Sequence, residues 1–235
     1  MKPYYEQDGI TIYHGDCREI LPTLTADVLI TDPPYGVGLK VKRHRNSQGG
    51  GAREVGRASV IYADDPGEIE VLLAEAIPMA IDACDRGLVF PGTRMAPMYP
   101  RPKAIGAVWI PAGAGMSSWG FQTSQPIYYY GPDPRLADSL GHFPNGFRSR
   151  GKAEQLDHPC PKPLEWMTWA VERASRECET VLDPFMGSGT TLVAAKQLNR
   201  NAIGIEIEEH YCEIAAKRLA QGAFDFATAA MDGEG

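Results

Sequence analysis

Asp32-Pro33-Pro34-Tyr35 is the segment of this chain best equipped for chemistry. Its two prolines fix two φ angles and remove two backbone donors, which leaves a stiff loop whose carbonyls are free to accept. An acidic side chain beside such a carbonyl can take both protons of an amino group. An aromatic amine needs that help, because its lone pair is delocalised into the ring. Two acceptors favour a pyramidal nitrogen whose lone pair points at an incoming electrophile, so the loop would act by positioning and electrostatics. Tyr35 would stack on the ring that carries the amine. The plainer alternative is a turn that ends a strand, with Tyr35 in the core.

A second constellation lies near the C-terminus. Asp183-Pro184-Phe185-Met186-Gly187-Ser188-Gly189-Thr190 joins an apolar strand-like run to a helical one. Glycines in a strand-to-helix turn let backbone approach a ligand closely. Glu206 follows Asp183 by 23 residues, at the end of the next strand-like run. An acid at about that distance holds ribose hydroxyls in nucleotide-binding folds. A structural turn in which Asp183 caps a helix is the bland alternative. A dinucleotide site is a rival, weakened by Leu192 standing where a third glycine belongs.

Together these segments resemble the DNA amino-methyltransferases, and their order is similar to the circularly permuted β class, with the catalytic loop first and the cofactor turn last. His158-Pro159-Cys160-Pro161-Lys162-Pro163 is similar to the His-Pro-x-x-Lys-Pro element of that class. The resemblance spans Tyr13 to Leu219. It implies S-adenosyl-L-methionine as cofactor and a target base flipped out of duplex DNA. Asp32, Pro33, Pro34 and Tyr35 would hold the target amine. Asp183, Pro184, Phe185, Gly187 and Gly189 would hold the methionine part of the cofactor, with Thr190 opening the helix behind them. Glu206 would take the ribose hydroxyls, Asp16 the adenine, and Lys162 and Pro163 would shape the methionine pocket. The aspartate at position 32 points to adenine N6, since cytosine-N4 members more often carry serine there; cytosine N4 is the runner-up. RNA or protein methylation, or a catalytically dead DNA-binding partner subunit, fits less well.

Composition bounds these readings. A chain of 235 residues suits one α/β domain. No apolar run approaches the ~18 residues of a membrane helix, and Met1–Tyr5 has no apolar stretch like that of a signal peptide, so the expected location is the cytoplasm. The five cysteines are scattered with no Cys-x-x-Cys pair, which favours reduced thiols and no metal site. A net charge of -7 argues mildly against nucleic acid. Locally the balance reverses: Lys40, Lys42, Arg43, Arg45, Arg53 and Arg57 face only Glu54 between 37 and 57, and Arg148, Arg150 and Lys152 form a smaller cluster. Lys40, Lys42, Arg43, Arg45, Arg148, Arg150 and Lys152 are the candidate DNA contacts, with the Gly49–Gly51 loop and the 113–120 stretch beside them, although charge runs are often plain solvated loops.

The elements that must position these residues alternate. Strands are expected at 10–14, 27–31, 87–90, 104–110, 126–130, 180–182 and 201–205. Helices are expected at 67–84, 164–174, 191–198 and 208–219, from their periodicity. Such alternation predicts a single-domain, doubly wound, mostly parallel sheet, Rossmann-like and permuted. One methyltransferase domain would cover 1–221, with a mobile basic loop at 37–59 and a flexible tail from 222. Residues 131–157 form a target-recognition segment shorter than the family usually carries. That predicts short or relaxed sequence specificity or a separate specificity subunit; a homodimer and a restriction partner also fit. Trp119 and Phe121 are read as core aromatics in preference to base-stacking ones, and Trp166 and Trp169 as core.

Overall fold

The computed structural model describes residues 2–36, 66–150 apart from 112, 114 and 118, and 162–221. The loop at 37–59, the segment 151–157 and the tail from 222 lie outside the described residues, and with them Lys40, Lys42, Arg43, Arg45 and Lys152.

β1 (Tyr5–Gln7) and β2 (Ile10–His14) form an antiparallel pair. The chain then passes through α1 (Cys17–Ile20), β3 (Ala26–Thr31), α2 (Pro66–Asp82) and β4 (Cys84–Val89). β5 (Ala104–Trp109) leads into a small hairpin, β6 (Met116–Ser117) and β7 (Gly120–Phe121), before β8 (Ser124–Tyr130). After α3 (Pro134–Ala137) and β9 (Phe147–Arg148) come α4 (Leu164–Ala174), β10 (Thr180–Asp183), α5 (Thr190–Gln197), β11 (Asn201–Glu206) and α6 (Glu209–Ala220). Nine strands make one sheet in the order β1-β2-β11-β10-β3-β4-β8-β5-β9. β2, β11, β10, β3 and β4 are mutually parallel; β8 runs against both β4 and β5.

The central strands read as unbroken apolar runs because both faces are covered. Successive residues of β3 serve opposite cores. Val28 and Ile30 pack with α4, α5 and α6. Leu29 packs with α2 through Leu73, Ala76 and Ile77. α2 supplies that face because Ile69, Leu73, Ala76, Ile77 and Ala80 recur at helical spacing and are all buried.

One consequence of this order fixes the site. β10 leads through α5 to β11 on one side, while β3 leads through α2 to β4 on the other. Neighbouring parallel strands whose connections depart in opposite directions leave a crevice beyond their carboxyl ends, where ligands bind in open α/β sheets. Asp183 ends β10 and Asp32 follows β3 at that crevice.

Candidate active site

The turn after β10 is drawn together by two buried carboxylates. Asp183 is 2% exposed. Its Oδ1 accepts from Thr31 Oγ1 at 2.6 Å and from the Phe185 amide at 3.1 Å. Desolvation pushes its pKa up to about 6, against the pull of hydrogen bonds from Thr191, Thr31 and Phe185. Asp183 does not cap α5; Gly189 holds the N-cap position, in the left-handed region at φ 79°. A Cβ on Gly189 would stand 2.7 Å from the Ala215 Cβ of α6, so the turn lies hard against that helix.

Glu206 closes the turn from the next strand. Its Oε2 accepts from the Gly187 amide at 3.0 Å and its Oε1 from the Glu208 amide at 2.9 Å. Burial pushes its pKa up to about 7. Pro184 is buried, and Phe185 packs half-exposed against the α2-side core. Thr190 is the first residue of α5, as the motif implies, and it is anchored by Arg218 of α6, which donates to Ser188 O at 2.6 Å and to Thr190 Oγ1 at 3.3 Å. Sequence reasoning missed Arg218, whose role depends on α6 crossing behind the turn.

Asp16 lies at the same edge, because the Gly15 amide donates to Glu206 O at 2.9 Å. It caps α1 through the Arg18 amide at 2.9 Å and forms an ion pair with the Arg18 guanidinium. Arg18 thus engages both its oxygens and holds its pKa below the usual carboxylate range. The family resemblance did not imply this arginine.

The Asp-Pro-Pro-Tyr loop carries a compact polar network. The Tyr35 hydroxyl donates to Asp32 Oδ1 and accepts from Gln125 Nε2. Lys162 Nζ lies 2.8 Å from Asp32 Oδ2, with the two side chains only 9% and 17% exposed. The same ammonium stands 4.5 Å from the centre of the Tyr35 ring and 5.9 Å from that of Trp166. Burial raises the Asp32 pKa, while Lys162 and then Tyr35 pull it back. Tyr35 is only partly buried and packs over Gly92, where a Cβ would come within 2.5 Å of the ring. Pro33 is buried, Pro34 partly so, and Pro163 occupies the N-cap position of α4.

The structure thus gathers Asp32, Tyr35 and Lys162 in one cluster, with Thr31 joining β3 to Asp183. Gln125 is a member of this cluster that sequence reasoning missed. A usable signal existed: it is a polar residue at an inward position of β8, two before the buried Ile127. Arg148 and Arg150 are exposed and lie off this cluster, along β9 and its continuation. Arg148 stacks on Trp109 at 5.0 Å, and the Arg150 amide donates to Glu165 at 3.2 Å. One expectation is reversed: Trp119 and Phe121 are not core residues but are 98% and 79% exposed. They sit on the β6–β7 hairpin, whose two short strands cover neither side chain. Trp166 is buried and Trp169 packs against the same core, as expected.

Known proteins match this arrangement. The family model described as DNA methylase, of the N6/N4 methyltransferase type, matches residues 61–217. Type II methyltransferase M.ScaI of Streptomyces caespitosus is 26% identical, over 93% of this chain and 84% of its own length. Type II methyltransferase M2.LlaDCHI of Lactococcus lactis subsp. cremoris is 25% identical, over 94% and 93%. Among solved structures, PvuII DNA methyltransferase, described as cytosine-N4-specific, superposes with a TM-score of 0.62 at 15% identity, covering 94% of this chain and 90% of that one. M1.HpyAVI, solved as a complex with S-adenosylmethionine, gives 0.59 at 23% identity, covering 89% and 98%. With more than half its length matched by that model, the chain belongs to the N6/N4 DNA methylase family.

Proposed function

We propose that this chain is a site-specific DNA methyltransferase that moves a methyl group from S-adenosyl-L-methionine to the exocyclic N6 amine of adenine. The observation that carries the reading is the Asp32–Lys162 pair at the end of β3, one strand from the buried Asp183 and two from Glu206.

The donor set suits such a cofactor. Glu206 is a buried carboxylate whose two oxygens each take one backbone amide and retain lone pairs for a ribose diol. Among the described residues the hydrogen-bond donors to Asp183 are neutral, so a cofactor ammonium would supply a positive charge there. Bound there, the cofactor supplies an electrophilic methyl group. The protein's task is to aim a weak nucleophile at it.

Both oxygens of Asp32 are engaged, Oδ1 by Tyr35 and Oδ2 by Lys162. Each oxygen keeps a further lone pair, so an incoming amine either bonds Oδ1 beside the Tyr35 hydroxyl or takes that hydroxyl's place. In the second case Tyr35 yields: turning its ring onto the base frees Oδ1. Lys162 stays and keeps the carboxylate charged. The second amine N–H would donate to the Pro33 carbonyl, and Asp32 would accept the other amine proton as the N–C bond replaces the methyl–sulfur bond. The target base reaches this loop only by leaving the duplex stack.

Incubation with labelled cofactor and DNA, followed by identification of the modified nucleoside, tests the reading. N6-methyladenine is expected; recovery of N4-methylcytosine alone would overturn the adenine assignment. That second reading is favoured by the likeness to the PvuII enzyme. A homodimer and a separate specificity or restriction partner also belong to this proposal, as does action in the cytoplasm. Among the described residues no helix is long and apolar enough to cross a membrane.

A further inference from the structure

β5 runs parallel to β4, so the connection from Trp109 to Ser124 emerges at the end of the sheet that carries Asp32 and Asp183. This connection is an arm. Ile110 N bonds Thr123 O at 2.7 Å, Gln122 N bonds Gly115 O at 2.9 Å, and Met116 and Ser117 pair with Phe121 and Gly120. The pairing leaves a two-residue turn with Trp119 in it. Trp119 is 98% exposed, Met116 80% and Phe121 79%. A contiguous apolar tip of this kind marks an interaction site.

Two observations identify what the tip meets. The arm ends two residues before Gln125, whose amide holds the Tyr35 hydroxyl in the catalytic loop, so arm and loop share a rim. Beside its base stand the exposed Arg148, stacked on Trp109, and Arg150. Cations flanking an aromatic tip suit a phosphate backbone with stacked bases inside it.

We propose that the 110–123 arm enters the duplex beside the target nucleotide and that Trp119 stacks in the gap left by the flipped base. The inference rests on the base-methylating reading above. Extruding a base costs unstacking and unpairing free energy. An indole face placed in the vacated position restores part of the stacking, and apolar side chains wedged between base steps are an established way to hold a distorted duplex open.

Full-length protein carrying Trp119→Ala tests this on two duplexes: one with the target base paired, one with it opposite an abasic site. On the paired duplex kcat/KM is expected to fall about 5- to 150-fold, since stacking on an aromatic side chain contributes about 1–3 kcal/mol per base. Opposite an abasic site, where extrusion is already cheap, the variant should stay within about twofold of wild type. Trp119→Phe should recover part of the loss. Equal losses on both duplexes, or none, would overturn the wedge. So would sedimentation showing a DNA-free dimer that Trp119→Ala dissolves, because the tip would then serve a second copy of the chain. If the wild-type chain methylates neither duplex, the enzymatic reading fails along with the wedge, a result distinct from failure of the wedge alone.

Discussion

On the β10–β11 side of the crevice, every residue from Thr190 to Ala195 is buried, and Gly189 touches α6 so closely that a methyl group would clash. On the β8–β5 side, Ile105, Trp109 and Phe121 face solvent on strands of the same molecule, with Trp119 at the hairpin tip. One side is tightly packed and the other is open along an edge. A cofactor of fixed shape can be met by a preformed cradle of backbone and buried carboxylate. A long polyanion needs an exposed, cation-flanked surface that adapts to it. Asp32 stands on the boundary, reached from the open side by Gln125 acting through Tyr35, and directly by Lys162 just ahead of α4.

Replacing the boundary residue should give the largest effect. Asp32→Ala is expected to lower kcat by about a thousandfold, the scale of losing a preorganised electrostatic contact, and to leave cofactor affinity close to wild type in calorimetry. Loss of both would mean that the two sides are not separable. Glu206→Ala should do the reverse and weaken cofactor binding first, by about 10- to 100-fold.

The closed side should also carry a pH signature. Asp183 and Glu206 titrate at about 6 and about 7 in the native chain. In the unfolded chain they titrate near about 4. Between those values the native chain binds more protons than the unfolded one, so these two groups make the cofactor-free protein lose stability as pH rises through that window. Cofactor affinity should climb over the same window, as the carboxylates that receive it become charged. Melting curves and binding titrations across pH test both trends, and Glu206→Gln should remove the upper part of each.

Lys162→Met sharpens the boundary from the other direction. Without the ammonium, the Asp32 pKa rises further, so the acid limb of the kcat profile should move to higher pH. Lys162→Arg should restore the limb; a profile unchanged in Lys162→Met would refute the pairing. The smallest expected change lies away from the chemistry. Arg173 is 7% exposed and bound by Asp133, which also caps α3. Asp133→Ala strands that guanidinium and should cost about 2 kcal/mol in denaturant melts, below the range for fully buried pairs because Asp133 is 23% exposed.

What could be read from residue order alone was the alternation of strands and helices and the two motifs, Asp32–Tyr35 and Asp183–Thr190, that follow β3 and β10, because each is written in a short window. The Tyr35–Gln125 contact joins residues 90 apart and the Thr31–Asp183 contact residues 152 apart, so no local pattern announces either. Lys162 was legible as a motif member, but its partner was not, since the His-Pro-x-x-Lys-Pro spacing says nothing about which strand end its ammonium meets. β9 and the β6–β7 hairpin escaped because two-residue strands have too little length to show a period. Trp119 was misjudged because large aromatics are usually buried, and only the hairpin's projection from the sheet shows otherwise.

The strand order also dictates when the enzyme comes into being. β2 and β3 are near neighbours along the chain, Ile10–His14 and Ala26–Thr31, yet β11 and β10 stand between them in the sheet. During synthesis both early strands wait with unsatisfied edges until residues 180–206 leave the ribosome, an interval in which a bare strand edge invites mispairing. Pulse-labelled hydrogen exchange during refolding should therefore find the amides of β2 and β3 protected no earlier than those of β10 and β11. A nascent chain interrupted before Asp183 would carry Asp32–Tyr35 without the β10–α5 turn, so under the proposed division of roles it would have no cradle for the cofactor.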